Sequence, residues 1–172
     1  MSQTDKHMVW CLNKAKKEIE EGKKHRGLVK ISSDINTAIG HLEKAEHNFK
    51  AITYFDIGGF SDWSVSAAFY TIYHCFLAIL AKFGYESRNQ ECTLSAIQSL
   101  KELNKINIDE KLIEALKNQQ ELKEKHEHNV ISLREDYQYG IKKEIQDKHR
   151  FEKLLKICSE AVDTTKEIIY AK

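Results

Sequence analysis

"SDWSVSAAFYTIYHCFLAILAKFG", residues 61–84, decides the fold. Between a Ser-Asp start and a closing glycine it carries Ala67, Ala68, Phe69, Ile72, Phe76, Leu77, Ile79 and Leu80, which at helical spacing cover nearly every face. A helix that is apolar on most faces must be surrounded by protein, so it predicts the buried centre of a helical fold. Within it stand His74 and two tyrosines, Tyr70 and Tyr73.

The surrounding sequence supplies partners for such a centre. Met8, Leu12, Ala15 and Ile19 repeat at helical spacing over 5–22, ending near Gly22. A second stripe, Ile35, Ala38, Ile39, Leu42, Ala45, Phe49 and Ile52, follows a capping Ser33 or Asp34 and stops before Gly58 and Gly59. Further helices are predicted over about 91–103, 109–127 and 143–170, the last with Leu154, Cys158, Val162, Thr165 and Ile169. The segment "HNVISLREDYQYG" (128–140) reads as the least regular part. The 172 residues contain no proline and seven glycines, and they show no repeat or linker. The expectation is therefore one domain over 1–172, all-α, an up-and-down bundle of about five to six helices.

Charge narrows the function classes. The net charge of +1 is split as +4 over 1–30, −3 over 31–100 and 0 beyond, so only "KAKKEIEEGKKHRGLVK" (14–30) is basic enough to touch phosphates, or it is a solvated helix end. The N-terminus lacks the order of a signal peptide, and no membrane span is expected, which predicts a cytoplasmic protein. Cys11, Cys75, Cys92 and Cys158 are scattered without a Cys-x-x-Cys pair and read as reduced structural thiols.

Several chemistries are excluded by spacing. A di-iron bundle needs Glu-x-x-His, and no glutamate has histidine three residues later. His126 and His128 are two apart and point to different helix faces, so no metal and no cofactor is expected. Glycine-rich phosphate loops are missing. Cys75 beside His74 lies about 100° away on a helix and gives no nucleophile pair. Tyr70 and His74, by contrast, are i, i+4 neighbours, so the hydroxyl is placed to orient the imidazole. That arrangement suits a general base, and it equally suits a satisfied core histidine.

The motifs Phe69-Tyr70-Thr71-Ile72-Tyr73-His74 and Asp136-Tyr137, set in this order of helices, resemble the HEPN family over roughly residues 35–170. The resemblance implies a homodimer of helical bundles, often encoded with a nucleotidyltransferase partner in toxin–antitoxin pairs. RNA or a nucleotide is the candidate ligand by His74, with Tyr70, Tyr73, Asp136 and Tyr137 as candidate binding residues. Active members of the family are metal-independent ribonucleases with Arg, four to six residues, then His. There the imidazole exchanges the proton of the attacking 2′-hydroxyl while the guanidinium stabilises charge on the phosphate. The positions five, six and seven before His74 are Phe69, Ala68 and Ala67, and none of Arg26, Arg88, Arg134 or Arg150 precedes a histidine by that interval. The expectation is a binding protein without catalysis. The alternative is a ribonuclease in which His74 acts with Arg134, brought from another element or another subunit. Asp136 reads either as a functional carboxylate or as a turn residue paired with Arg134, with Tyr137 packed on the bundle. Trp63 and Tyr85 read as core or interface residues. A third possibility, an adaptor unrelated to nucleic acid, would require an exposed apolar patch at Val162, Thr165 and Ile169.

Overall fold

The computed structural model describes residues 2–117 and 129–171. Its elements in chain order are α1 (Gln3–Glu20), β1 (Leu28–Lys30), α2 (Ile35–Ile57), α3 (Ser61–Lys82), β2 (Tyr85–Ser87), α4 (Gln90–Glu102), α5 (Glu110–Glu114), α6 (Val130–Gln138) and α7 (Lys148–Tyr170). The fold is all-α apart from β1 and β2, an antiparallel pair in which Leu28 faces Ser87 and Lys30 faces Tyr85.

Helix starts follow local chemistry. Asp34, Asn89, Asn129 and Asp147 each accept a hydrogen bond from a backbone N–H three residues on, at 3.0, 3.0, 2.7 and 3.1 Å. Each satisfies a donor that the first helical turn leaves open. Ser2 and Asp5 close a reciprocal box at the start of α1. The turn at Gly58–Phe60 sends α3 back along α2, and Ser64 Oγ donates to Ile52 O at 2.7 Å across it.

α3 is the expected centre, with α2, α4, α6 and α7 packed around it. Val65, Ala68, Ile72, Phe76, Ile79 and Leu80 are buried there with Leu42, Ile52, Ile97 and Cys158. By length and composition alone α3 would suffice to cross a membrane, yet most of it is buried against protein. Lys82 at its end donates to Ile168 O, Ile169 O and Ala171 O at 2.5, 3.0 and 3.0 Å, satisfying carbonyls that the end of α7 leaves open.

The structure corrects several sequence expectations. Residues 130–138, read as irregular, form α6, because Val130, Ile131, Leu133 and Tyr137 make a short buried stripe behind the Asn129 cap. Seven helices therefore occur among the described residues. α7 begins at Lys148 rather than 143, since Asp147 caps it, and Ile145 N donates to Ser61 Oγ at 2.7 Å in the connector before it. The described part of the helix expected over 109–127 is the single turn and a half of α5. Residues 118–127 of that helix, with His126, and His128 just beyond it, lie outside the described residues. The thiols are not all reduced: Cys11 and Cys92 form a disulfide, while Cys75 and Cys158 are free and buried. Sequence offered no sign of that bond because 81 positions separate the two cysteines. Val162, Thr165 and Ile169 are buried, so the exposed patch that an adaptor reading required is not there.

Candidate functional site

His74 sits just past the middle of α3 and, because α2 runs antiparallel, meets His41 in the N-terminal half of α2. Their Nδ1 atoms are 3.0 Å apart, with ring centroids 5.2 Å apart and planes inclined by 36°. One Nδ1 must carry a proton and the other must be bare to accept it, so the contact holds with at most one of the two rings charged. Burial holds both imidazoles below their ordinary value. For His74, burial comes first, followed by the charges of His41 and Lys44, and together they bring it down to about 4. At neutral pH the ring is therefore an uncharged, weakly basic acceptor.

The i, i+4 expectation for Tyr70 is corrected here: the ring nitrogen's partner is His41. Tyr70 is 48% exposed and leans its edge on Phe69 with centroids 5.1 Å apart. Tyr73 is half-buried, stacks on Phe69 at 5.8 Å and 14°, and presents an edge to His74 at 6.4 Å. Burial pushes its hydroxyl upward, so it stays protonated.

Arg134 comes from α6. Its guanidinium carbon lies 4.2 Å over the Phe69 ring, a cation–π contact, and its Nε is buried without a hydrogen-bond partner. It thus occupies space above the position five before His74. Five residues are about 500° of helix, so Phe69 and His74 diverge by about 140°, with Tyr70 between them. On the face of α3 between Phe69 and His74 the exposed Trp63 and Tyr70 form an open stripe, with Phe69 and the overlying Arg134 on one side of it and His74 on the other. Asp136 is exposed and makes no ion pair with Arg134, which removes the paired-turn reading, while Tyr137 is 8% exposed and packs into the core. The six candidate residues therefore divide: Tyr70, Tyr73 and His74 lie on α3, while Arg134, Asp136 and Tyr137 come from α6, with Arg134 over Phe69, Asp136 exposed and Tyr137 in the core.

Sequence reasoning missed His41. It lies beside Leu42 on the edge of the buried stripe of α2, and nothing local couples it to a residue 33 positions away. Next to it an open groove of about 340 Å³ runs between α2, α3 and β2, bordered by Asp34, His41, Leu77, Tyr85 and Arg88. Among the described residues no three metal-ligating side chains converge.

The HEPN domain family matches residues 39–169 of this chain, from within the first turns of α2 to the penultimate residue of α7, which takes in His41, His74 and Arg134 and leaves out α1 and β1. Comparisons with curated proteins and with solved structures give no match.

Proposed function

Since the chain belongs to the HEPN domain family, we propose that it is a non-catalytic member that works by binding, as a homodimer. Its ligand is a nucleotidyltransferase partner, a nucleotide or RNA, and the contact surface is the open stripe of α3. The observation that carries this reading is the division of the two charged roles. His74 is paired with His41 and weakly basic, while Arg134 is engaged by the Phe69 ring. A ribonuclease of this type needs both groups at one phosphate. The exposed Trp63 and Tyr70 on the same stripe, 55% and 48% accessible, supply the aromatic area that association favours.

The test is cleavage of mixed single-stranded RNA by the purified chain in a metal chelator, beside His74→Ala and Arg134→Ala, with light scattering for mass. No cleavage by any of the three, with a dimer throughout, is the expected result. Cleavage by wild type that is lost in His74→Ala overturns it.

A second reading, a metal-independent ribonuclease using His74 with Arg134, is favoured by one fact. Arg134 covers Phe69, which lies within the interval before His74 where the family's arginine is expected. It requires that His74→Ala and Arg134→Ala each abolish cleavage.

A further inference from the structure

α1 lies outside the family match, and what holds it to the bundle is narrow. Over its 18 residues only Cys11 and Ala15 are buried, with Met8 and Leu12 partly so, a single i, i+3, i+4, i+7 stripe. Val9, Trp10 and Ile19 are exposed at 45, 51 and 51%. The stripe rests on α4 and on the segment that leads into β1. Polar ties are His7 Nδ1 with Ser95 Oγ at 2.5 Å, Ser2 and Thr4 hydroxyls donating to the exposed Glu102 carboxylate at 3.1 and 3.0 Å, and Arg26 N donating to the Glu18 carboxylate at 2.5 Å. At the centre of this contact, Cys11 of α1 is bonded to Cys92 in the first turn of α4, with both side chains at 0% exposure.

We propose that the Cys11–Cys92 pair is a redox-modification site that latches α1 onto the domain: oxidised, α1 is docked; reduced, α1 is released while α2 to α7 stay folded. The reductant is a dithiol. One of its thiolates attacks one sulfur of the pair, forming a mixed disulfide and expelling the other cysteine as a thiolate. The reductant's second thiol then closes on the first, so two electrons and two protons pass to Cys11 and Cys92 and the dithiol leaves as a disulfide.

Two features single this pair out from an ordinary staple. The core helix α3 has its main neighbours in α2, α4, α6 and α7, and α1 adds only Cys11, Ala15, Met8 and Leu12 beside α4, so the loss of α1 leaves the packing around α3 in place. Both cysteines are at 0% exposure, so a reductant reaches the bond only through a local opening around it, and once the bond is cut nothing covalent returns α1 to α4. Release also reaches the groove beside His41. Gly27 approaches α1 so closely that a Cβ there would lie against Cys11 O, and Gly27 O accepts from Arg88 N at 3.1 Å on the groove's border.

The experiment is amide hydrogen exchange with mass spectrometry on the full chain, air-oxidised and after dithiothreitol, with thiols counted in denaturant. The oxidised chain is expected to show two reactive thiols, Cys75 and Cys158, and the reduced chain four. On reduction, protection of the α1 amides should fall by about tenfold or more while that of α3 is held. Re-oxidation should restore it, and Cys92→Ala should reproduce the reduced pattern without any reductant. Four thiols in the air-oxidised chain overturn the proposal, as does unchanged α1 protection after reduction. A loss of protection shared equally by α1 and α3 also overturns it, since the bond would then be a global staple.

Discussion

Acidification is the perturbation that reads the His41–His74 contact most directly. In the unfolded chain His74 takes up a proton near its ordinary 6.5, whereas in the fold it does so only at about 4. The stabilisation that follows is complete above pH 6.5 and is lost as pH falls from 6.5 through 4, because over that interval the unfolded state binds the extra proton. At about 1.36 kcal/mol per pH unit the interval would carry about 3.4 kcal/mol, but the ring is only partly buried, and screening reduces the expectation to about 1–2 kcal/mol. The assay has two parts. Carbon-edited NMR of the imidazole Cε1–H, assigned with His74→Gln, should show a His74 resonance that stays still from pH 8 to 5.5. Urea unfolding at pH 7.5 and 4.5 should lose about 1–2 kcal/mol more in wild type than in His74→Gln. Replacement of His41 by alanine removes both cover and a neighbouring charge, so the His74 midpoint should move upward. A wild-type midpoint near 6.5, or an equal acid loss in His74→Gln, would refute the reasoning.

Three further outcomes test the packing. Phe76→Ala, at 1% exposure in the middle of α3, should cost about 3–5 kcal/mol in denaturant unfolding, through lost burial and the cavity left behind. Lys82→Met should cost about 1–2 kcal/mol by the same measurement, because it strips the hydrogen bonds from the last carbonyls of α7. Gly84→Ala should lower the melting temperature by several degrees: φ is +79°, and the new Cβ would stand 2.8 Å from Ile31 O, a backbone atom of the neighbouring strand segment.

Local pattern carried the parts of the fold that depend on neighbours in the chain. The apolar faces of α2 and α3, the Asp34 cap and the turn at Gly58 and Gly59 are all legible over a few residues, and they delimit both helices correctly. α6 escaped because nine residues give its stripe little more than two turns in which to declare a period, and the cap Asn129 reads equally well as a loop residue. β1 and β2 are three residues each, too short to alternate visibly, and they exist only as a pair.

The candidate site divides along the same line. That His74 lies on a buried helix, that Tyr70 and Tyr73 share its neighbourhood, and that no arginine stands at the required interval before it were all determined by the sequence itself, since helical geometry converts spacing directly into direction. The partner of His74, the perch of Arg134 on Phe69 and the bond between Cys11 and Cys92 were decided only by the tertiary structure. They join residues 33, 65 and 81 positions apart. A periodic pattern says which face of a helix is covered, and the packing of whole helices says what covers it.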